Sequence, residues 1–208
     1  MKKTITIRVI VAVVAVVFVV GTWVQDGRPD LAALKFFSIA VLASTVVFNL
    51  WDFWLWRLSL IQRIPGVPRS IRGTWKGALS SFWVDPATGK QPAPKDVYLV
   101  VQQTGSLVVV KLLTDESRST SASANVSEVD GSFLLTYLYL NKPDMRVEHR
   151  SRIHHGSAVL DISGCPARRL KGRYWTDRDS KGELEFAERN KKLADDFAEA
   201  AGLFGARV

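Results

Sequence analysis

The chain has 208 residues, 47% of them hydrophobic, and its 28 basic and 20 acidic side chains give a net charge of +8. Residues 1–71 carry 8 basic and 3 acidic side chains, and residues 72–208 carry 20 and 17. Most of the basic excess therefore flanks the apolar N-terminal part, which indicates membrane topology rather than binding of a DNA or RNA polymer. The single cysteine, Cys165, offers no intramolecular disulfide and excludes a cysteine-based zinc cluster.

Two apolar stretches near the N-terminus are long enough to cross a bilayer. Ile5–Val24 contains one charge, Arg8, and Phe36–Trp56 contains only Asp52. Each matches the ~20 residues that a helix needs to span ~30 Å of hydrocarbon. The segment between them, Gln25–Asp30, is polar and contains Gly and Pro, so it predicts a tight turn between two antiparallel helices.

A cleaved secretory signal is an alternative for the first stretch, because a basic start followed by valines and alanines is also typical of such signals. The run is long for a signal, Val19-Val20-Gly21 is a poor cleavage site, and a second apolar stretch follows at once. The sequence therefore favours two transmembrane helices, at about residues 5–24 and 36–56.

Basic residues predict the orientation of these helices. Lys2 and Lys3 precede the first helix and four arginines follow the second, whereas the connecting turn carries Arg28. By the positive-inside rule both termini lie in the cytoplasm. We therefore expect residues 1–70 to form a transmembrane domain and residues 71–208 to form a cytosolic domain.

The inner end of the second helix allows two interpretations. Trp51, Trp54 and Trp56 are typical of an aromatic belt at the headgroups. Asn49 and Asp52 are three residues apart on one helical face, where polar groups are costly unless they are paired. A contact with a neighbouring subunit or a water-filled path is the alternative to the belt.

From Ile71 onward the hydrophobic periodicity changes to two, which is typical of β-strands. Short polar turns separate the strand candidates. Strands at this spacing predict an antiparallel meander, and about eight of them close an up-and-down barrel that can hold one small ligand. The candidates are Arg72–Trp83, Asp96–Thr104, Leu107–Leu113, Arg118–Glu128, Ser132–Asn141, Val147–His154, Ser157–Ser163, Arg169–Trp175 and Glu183–Glu188.

The last segment, Phe186–Val208, returns to helical spacing. Leu193, Phe197, Ala201 and Phe204 recur on one face of the helix that it predicts. We expect this C-terminal helix to pack against the barrel. An oligomer contact and a membrane-surface helix are the alternatives.

Two short motifs narrow the kind of barrel. Gly73-Thr74-Trp75 opens the first strand and looks like the Gly-x-Trp opening of lipocalin-type barrels, in which the indole closes one end. The run Tyr174-Trp175-Thr176-Asp177-Arg178 lies near the last strand. We expect Arg178 to pack on the Trp75 indole in a cation–π contact.

The two N-terminal spans, the motif Arg72-Gly73-Thr74-Trp75-Lys76-Gly77 and the Tyr174–Arg178 run with Gly182 occur together in this chain. This combination resembles the two-transmembrane, β-barrel effectors of CBASS antiphage operons, which are encoded beside a cGAS/DncV-like nucleotidyltransferase. The resemblance covers nearly the whole chain. It implies a barrel similar to lipocalins and fatty-acid-binding proteins that binds a cyclic dinucleotide made by the partner enzyme, without required direct contact between the two proteins.

The resemblance also implies an output. Ligand binding would drive self-association into oligomers in the bacterial inner membrane, and the two spans would then disrupt the lipid bilayer. The infected cell would die or stop growing before phage matures.

Candidate ligand residues follow from the chemistry of a cyclic dinucleotide, whose two phosphates and two bases suit arginines and aromatic rings. The sequence does not tell which strand face points inward. A solvated outer face for the arginines and a core position for the tyrosines are therefore the alternatives. The candidates are Arg150, Arg152 and Arg178 for phosphate, Tyr98, Tyr137 and Tyr174 for base or ribose, and Arg118 as a further contact.

The sequence shows no nucleophile elbow and no Walker-type loop, and a zinc site would need all three histidines, His149, His154 and His155. We therefore expect that the chain is not an enzyme, has no metal site and uses no cofactor apart from the ligand. The main alternative function is a membrane-anchored, lipocalin-like carrier or sensor of a lipid or fatty acid, with an apolar barrel interior. A structural interaction module with a filled barrel is a third hypothesis.

Overall fold

The computed structural model describes residues 2–24, 33–86, 88–149 and 151–205. The chain divides into two compact units, the first ending at Val67 and the second beginning at Pro68. The first unit contains helices α1 (Lys2–Val24) and α2 (Ala33–Phe53), which pack against each other, and two short 3-10 helices, Leu55–Arg57 and Ile61–Arg63. The predicted turn at Gln25–Asp30 lies outside the described residues.

Two polar side chains of α2 make hydrogen bonds within the helix. Thr45 Oγ1 donates to the carbonyl of Val41 at 2.8 Å, and Asn49 Nδ2 donates to the carbonyl of Thr45 at 2.7 Å. Such bonds to the preceding turn allow polar residues to occupy an apolar helix. The subunit contact or water path suggested for Asn49 and Asp52 stays a prediction.

One stretch of the described chain, Ser38–Arg57, is long and apolar enough to cross a membrane, and Ile10–Val24 is a shorter apolar helix. These lengths agree with a helical hairpin of which one arm has span length. The second span and the cytoplasmic position of both termini stay predictions.

The second unit is a closed antiparallel barrel in which each strand pairs with the next and β8 pairs with β1. Together with the two N-terminal helices and a C-terminal helix, it confirms the predicted fold class. The elements are β1 (Gly73–Ser81), β2 (Lys95–Gln103), β3 (Val108–Leu113), β4 (Ser117–Val129), β5 (Ser132–Pro143), β6 (His154–Ser163), β7 (Arg169–Thr176), β8 (Lys181–Asn190) and α3 (Phe197–Gly202).

Alternation along the strands fills one half of the barrel, the half that contains Trp75, with apolar side chains. Leu99 on β2, Leu135 on β5, Leu160 on β6 and Phe186 on β8 are fully buried in one cluster. Burial of a side chain of this size contributes roughly 1.5–3 kcal/mol. The cavity described below lies in the other half of the barrel.

Trp75 closes the packed end, as the Gly-x-Trp motif predicts, but its arginine partner is a different residue. The Arg189 guanidinium lies 5.2 Å from the Trp75 ring centroid, and Trp75 Nε1 donates to the carbonyl of Ile71 at 2.9 Å. Arg189 also donates to the carbonyls of Ser70 and Arg72. The expected packing of Arg178 on Trp75 is wrong, because Arg178 follows β7 at the opposite end of the barrel.

Two sequence-based element assignments are also wrong. Val147–His154 was expected to be a strand, but β5 ends at Pro143, a 3-10 helix occupies Met145–Val147, and β6 begins at His154. Charged residues alternate there, but no apolar face alternates with them, so nothing anchors a strand to the core. The C-terminal helix was expected from Phe186, but β8 continues to Asn190 because its Phe186 side is needed in the core.

The C-terminal segment packs on the outside of β2 and β3, as the favoured interpretation expects. Tyr98 lies with its ring centroid 5.2 Å from that of Phe197 and 5.8 Å from that of Phe204. Asp196 caps α3 by accepting the backbone N–H of Glu199 at 2.8 Å. Arg118 donates to the carbonyl of Asp195 and ties the segment to β4.

Candidate functional site

A cavity of about 250 Å³ opens at the end of the barrel opposite Trp75. The connections that surround it join β1 to β2, β3 to β4, β5 to β6 and β7 to β8. Because the strands run up and down, every second connection of the meander meets at this end. The cavity therefore has a wall of inward-facing strand residues and a rim of loop residues.

Three tyrosines on inner strand faces line the cavity: Tyr137, Tyr139 and Tyr174. The rings of Tyr137 and Tyr139 are 5.8 Å apart between centroids and tilted by 44°. Tyr139 lies opposite Gly156 on β6, and Tyr174 lies opposite Gly182 on β8. A Cβ at either glycine would overlap the facing ring, so glycine is what allows each ring to lie flat on the neighbouring strand.

The tyrosine hydroxyls place protonated polar groups deep in the lumen. Burial raises the pKa of Tyr137 and of Tyr139 well above the ordinary value, so both keep their protons at physiological pH. The Tyr137 hydroxyl is buried and has no hydrogen-bond partner among the described residues. Burial also raises the pKa of Tyr174, and a hydrogen bond to Ser81 opposes this shift.

His154, at the start of β6, adds an acceptor to the wall. Its Nδ1 lies 3.0 Å from the carbonyl of Arg152, and a carbonyl only accepts, so Nδ1 carries the proton. Desolvation by burial lowers the pKa of His154, which favours the neutral ring and leaves Nε2 as a hydrogen-bond acceptor. Beside it, Ser119 Oγ bonds Asn141 Oδ1 at 2.8 Å across β4 and β5, so the Asn141 amide is held in one orientation.

Charged groups lie at the rim. Lys95 Nζ pairs with Glu116 Oε2 at 2.9 Å, and both side chains are partly exposed. Arg178 is exposed and its guanidinium lies 3.5 Å from Ser151 Oγ on the facing loop. These cations stand above the tyrosines and can meet an anion that enters from solvent.

The structure brings three of the seven predicted ligand residues to this cavity: Tyr137, Tyr174 and Arg178. Arg152 is exposed on the loop between β5 and β6, beside the cavity residues Ser151 and His154. Arg150 lies outside the described residues. Two candidates point away from the lumen, Tyr98 under the C-terminal segment and Arg118 on the outer face of β4.

Several cavity residues were not among the sequence-based candidates. Ser119 and Asn141 oppose each other in register, and Lys95 and Glu116 form the rim ion pair. The phase of Tyr137 on β5 would also have indicated Tyr139 and Asn141, since alternate residues share a face. No group of three or more His, Cys, Asp or Glu side chains within the described ranges could hold a metal ion.

Residues 67–188 match a family model described as Cap15, cyclic dinucleotide receptor domain. The chain belongs to the Cap15 family. The matched residues include all eight strands except the last two residues of β8, Arg189 and Asn190, so the Cap15 domain is the barrel that holds the cavity.

A curated relative of this Cap15 chain is the CD-NTase-associated protein 15 of Staphylococcus schleiferi. The two are 28% identical over 156 residues, which cover 75% of this chain and 78% of the relative. The similarity is thus longer than the Cap15 receptor domain alone. The sequence-based resemblance to CBASS barrel effectors is confirmed.

Proposed function

We propose that this chain is a CBASS effector whose barrel binds a cyclic dinucleotide in the cavity at its open end. The observation that carries the proposal is the layering of this cavity, with three tyrosine rings and hydrogen-bonding groups in the lumen and cations at the rim. A cyclic dinucleotide has the same two layers, bases with π faces and polar edges, and phosphates with negative charge.

The size of the cavity suggests how the ligand lies. About 250 Å³ is slightly below the ~300–1,000 Å³ typical of small-molecule sites. One base of the ligand would therefore enter the lumen between Tyr137, Tyr139 and Tyr174, while its phosphates stay at the rim. Asn141 and His154 Nε2 would meet the polar edge of that base.

The phosphate contacts fall to rim residues. Arg178 and Lys95 line the cavity, and Arg152 lies on the adjoining loop. Of the sequence-based candidates, Arg150 belongs to the same loop by its position in the chain. Tyr98 and Arg118 lie outside this cavity, so the proposal gives them no ligand contact.

The lipid-carrier alternative expects an apolar lumen with one arginine. The lumen beside Trp75 is apolar but filled by side chains, whereas the open cavity is lined by hydroxyl, amide and imidazole groups. A fatty-acid chain would offer no hydrogen bond to the Tyr137 hydroxyl or to His154 Nε2, at a cost of about 1–3 kcal/mol for each group. The polar wall therefore favours a nucleotide over a fatty acid as the ligand.

The output in this proposal belongs to the N-terminal helices. The α1–α2 pair would span the bacterial inner membrane twice with both termini in the cytoplasm, so that the barrel samples the pool in which a partner nucleotidyltransferase makes its product. Ligand binding would drive self-association, and the hairpins would then disrupt the bilayer and kill or arrest the infected cell. The proposed role is binding rather than catalysis.

A binding experiment tests the ligand. The full-length chain in detergent is unfolded by heat with each member of a cyclic di- and trinucleotide panel, and tryptophan fluorescence reports the midpoint. A ligand at 100 times its Kd contributes about 2.7 kcal/mol. We expect stabilisation that Arg178→Gln weakens and that the matched control Arg118→Gln leaves intact. Stabilisation by no cyclic nucleotide would contradict the proposal.

A growth experiment tests the output. Co-expression with a cognate nucleotidyltransferase should arrest growth, and deletion of residues 1–56 should abolish the arrest. Nucleotide binding by the shortened chain must be retained for this result to assign the output to the hairpin. Arrest by a chain without residues 1–56 would assign it elsewhere.

A further inference from the structure

β4 extends past its neighbour β3 toward the Trp75 end of the barrel. β4 has 13 residues and β3 has 6, and the ladder between them is limited to the pairs from Lys111 with Thr120 to Leu113 with Arg118. On its other side β4 pairs with β5 along its whole length. Its last six residues, Ala124–Val129, therefore have a backbone edge that no described strand pairs, and we name them the β4 edge.

The turn that follows β4 fixes which backbone groups face outward. Asp130 and Gly131 have φ of 50° and 76°, as a two-residue type I′ turn requires. The flanking pair, Val129 with Ser132, is then hydrogen-bonded, and hydrogen-bonded pairs recur at every second residue. Ala124, Val126 and Glu128 consequently direct their N–H and C=O groups away from β5, toward the open edge.

The β4 edge has little of the usual protection of a free strand, since Glu128, on the same strand face as buried Val126, is its one charge. Natural sheet edges are commonly blocked by lysine, proline or an inward charge. Between Arg118 and Glu128 this strand contains only Ser, Thr, Ala, Asn and Val. Asn125 is exposed on the outer face, so apart from Glu128 the edge is uncharged, carries small side chains and is accessible.

We propose that the β4 edge pairs antiparallel with the β4 edge of a second copy of this chain. A two-fold axis at Val126 sets Val126 opposite itself and Ala124 opposite Glu128, and this register uses every outward N–H and C=O group of the edge. The one charge, Glu128, then faces an alanine, so no like charges meet. This self-complementarity makes a second copy the occupant.

The pairing rests on the proposed function in one respect: the β4 edge would be the contact through which ligand-bound chains self-associate. The first residue of the edge lies level with the cavity wall, since Ala124 is directly opposite Tyr137 in the β4–β5 register. A ligand against Tyr137 therefore acts on the same hairpin that carries the edge.

Disulfide trapping tests the register. In the two-fold pairing Asn125 faces Ser127 of the other copy as a non-hydrogen-bonded pair with Cα atoms about 4.5 Å apart, which is within disulfide range. Full-length Asn125→Cys and Ser127→Cys chains, each with Cys165→Ser to remove the exposed native thiol, carry different tags and are co-expressed. We expect a cross-linked heterodimer only when the two chains are mixed.

The matched control uses Thr136→Cys and Leu134→Cys, because these positions oppose Asn125 and Ser127 within the chain. They lie on the same hairpin but one strand farther from the axis on each side, so their Cα atoms would be roughly 14 Å apart across the interface. We expect no cross-link between them. Equal cross-linking of both sets, or none at Asn125 and Ser127 with or without the nucleotide panel, overturns the edge pairing.

Charge exchange gives a second readout. Asn125→Lys/Ser127→Lys would set lysine against lysine twice in each dimer, and we expect self-association about tenfold weaker. Asn125→Lys/Ser127→Glu sets opposite charges against each other and should restore it. Thermal unfolding shows that each variant folds, and nucleotide stabilisation in the same samples tests the ligand separately. Equal self-association of the two variants would also overturn the pairing.

Discussion

Replacement of Tyr137 by phenylalanine separates the stability of the barrel from its ligand binding. The Tyr137 ring is 2% exposed, its hydroxyl is buried, and no described residue bonds to that hydroxyl. Desolvation of the hydroxyl therefore opposes folding without a compensating hydrogen bond. Tyr137→Phe keeps the ring and removes only this group.

The two expected effects of Tyr137→Phe have opposite signs. An unsatisfied buried hydroxyl costs about 1–3 kcal/mol, so the ligand-free variant should be more stable by at least about 1 kcal/mol. For a barrel of this size that raises Tm by roughly 4 °C. If the hydroxyl bonds the nucleotide, its loss should weaken binding by about 0.5–1.5 kcal/mol, or roughly two- to tenfold.

Thermal unfolding without ligand and calorimetric titration with the stabilising nucleotide measure the two effects. Tyr174→Phe is the matched control, because its hydroxyl bonds Ser81 and its removal should lower stability by about 1 kcal/mol. A Tyr137→Phe variant that is less stable than the parent, or that binds nucleotide with unchanged affinity, would refute the reasoning.

Three further predictions concern the rim, the wall and the closed end. Glu116→Gln removes the ion-pair partner of Lys95, which can then bind phosphate. Because exposed ion pairs contribute no more than about 1 kcal/mol, nucleotide affinity at low salt should rise up to about fivefold in calorimetry. A weaker affinity would count against this role of Lys95. Burial lowers the pKa of His154, so the histidine is protonated more readily in the unfolded chain than in the folded one, and Tm should fall as pH drops below about 6.5. His154→Gln should reduce this fall in Tm. An equal fall in the variant would assign the pH dependence to other groups. Arg189→Met removes hydrogen bonds to two carbonyls and the cation–π contact with Trp75. Denaturant titration should show the fold destabilised by about 2–4 kcal/mol, while nucleotide affinity is unchanged. A loss of stability below about 1 kcal/mol would contradict this account of the closed end.

The barrel was predictable because apolar alternation and turn residues recur along nearly every strand. The exceptions have a physical cause. On β2, Val97 to Val101 are all buried, since the C-terminal segment covers the outer face, and the alternation that would show the inward phase disappears. The sequence therefore could not tell that Tyr98 faces α3 while Tyr137 faces the lumen.

The candidate site was predictable in its chemistry but less so in its positions. Tyr174 and Arg178 belong to a motif that ends a strand, and a strand end is where an open barrel places ligand contacts. Arg118 alternates correctly along β4 but falls on the outer phase, where it bonds Asp195. Residues 148–149 and 151–153 of the expected strand lie in the loop between β5 and β6, so strand alternation does not place Arg152.

The central claim is that the open end of the barrel binds a cyclic dinucleotide. Calorimetric titration of the full-length chain with the cyclic dinucleotide panel, beside Tyr137→Phe/Arg178→Gln, tests it most directly. The account predicts saturable binding of one ligand per chain that the double variant weakens by at least about tenfold and that fatty acid does not displace. Binding of unchanged affinity in the double variant, or binding that fatty acid displaces, would contradict it.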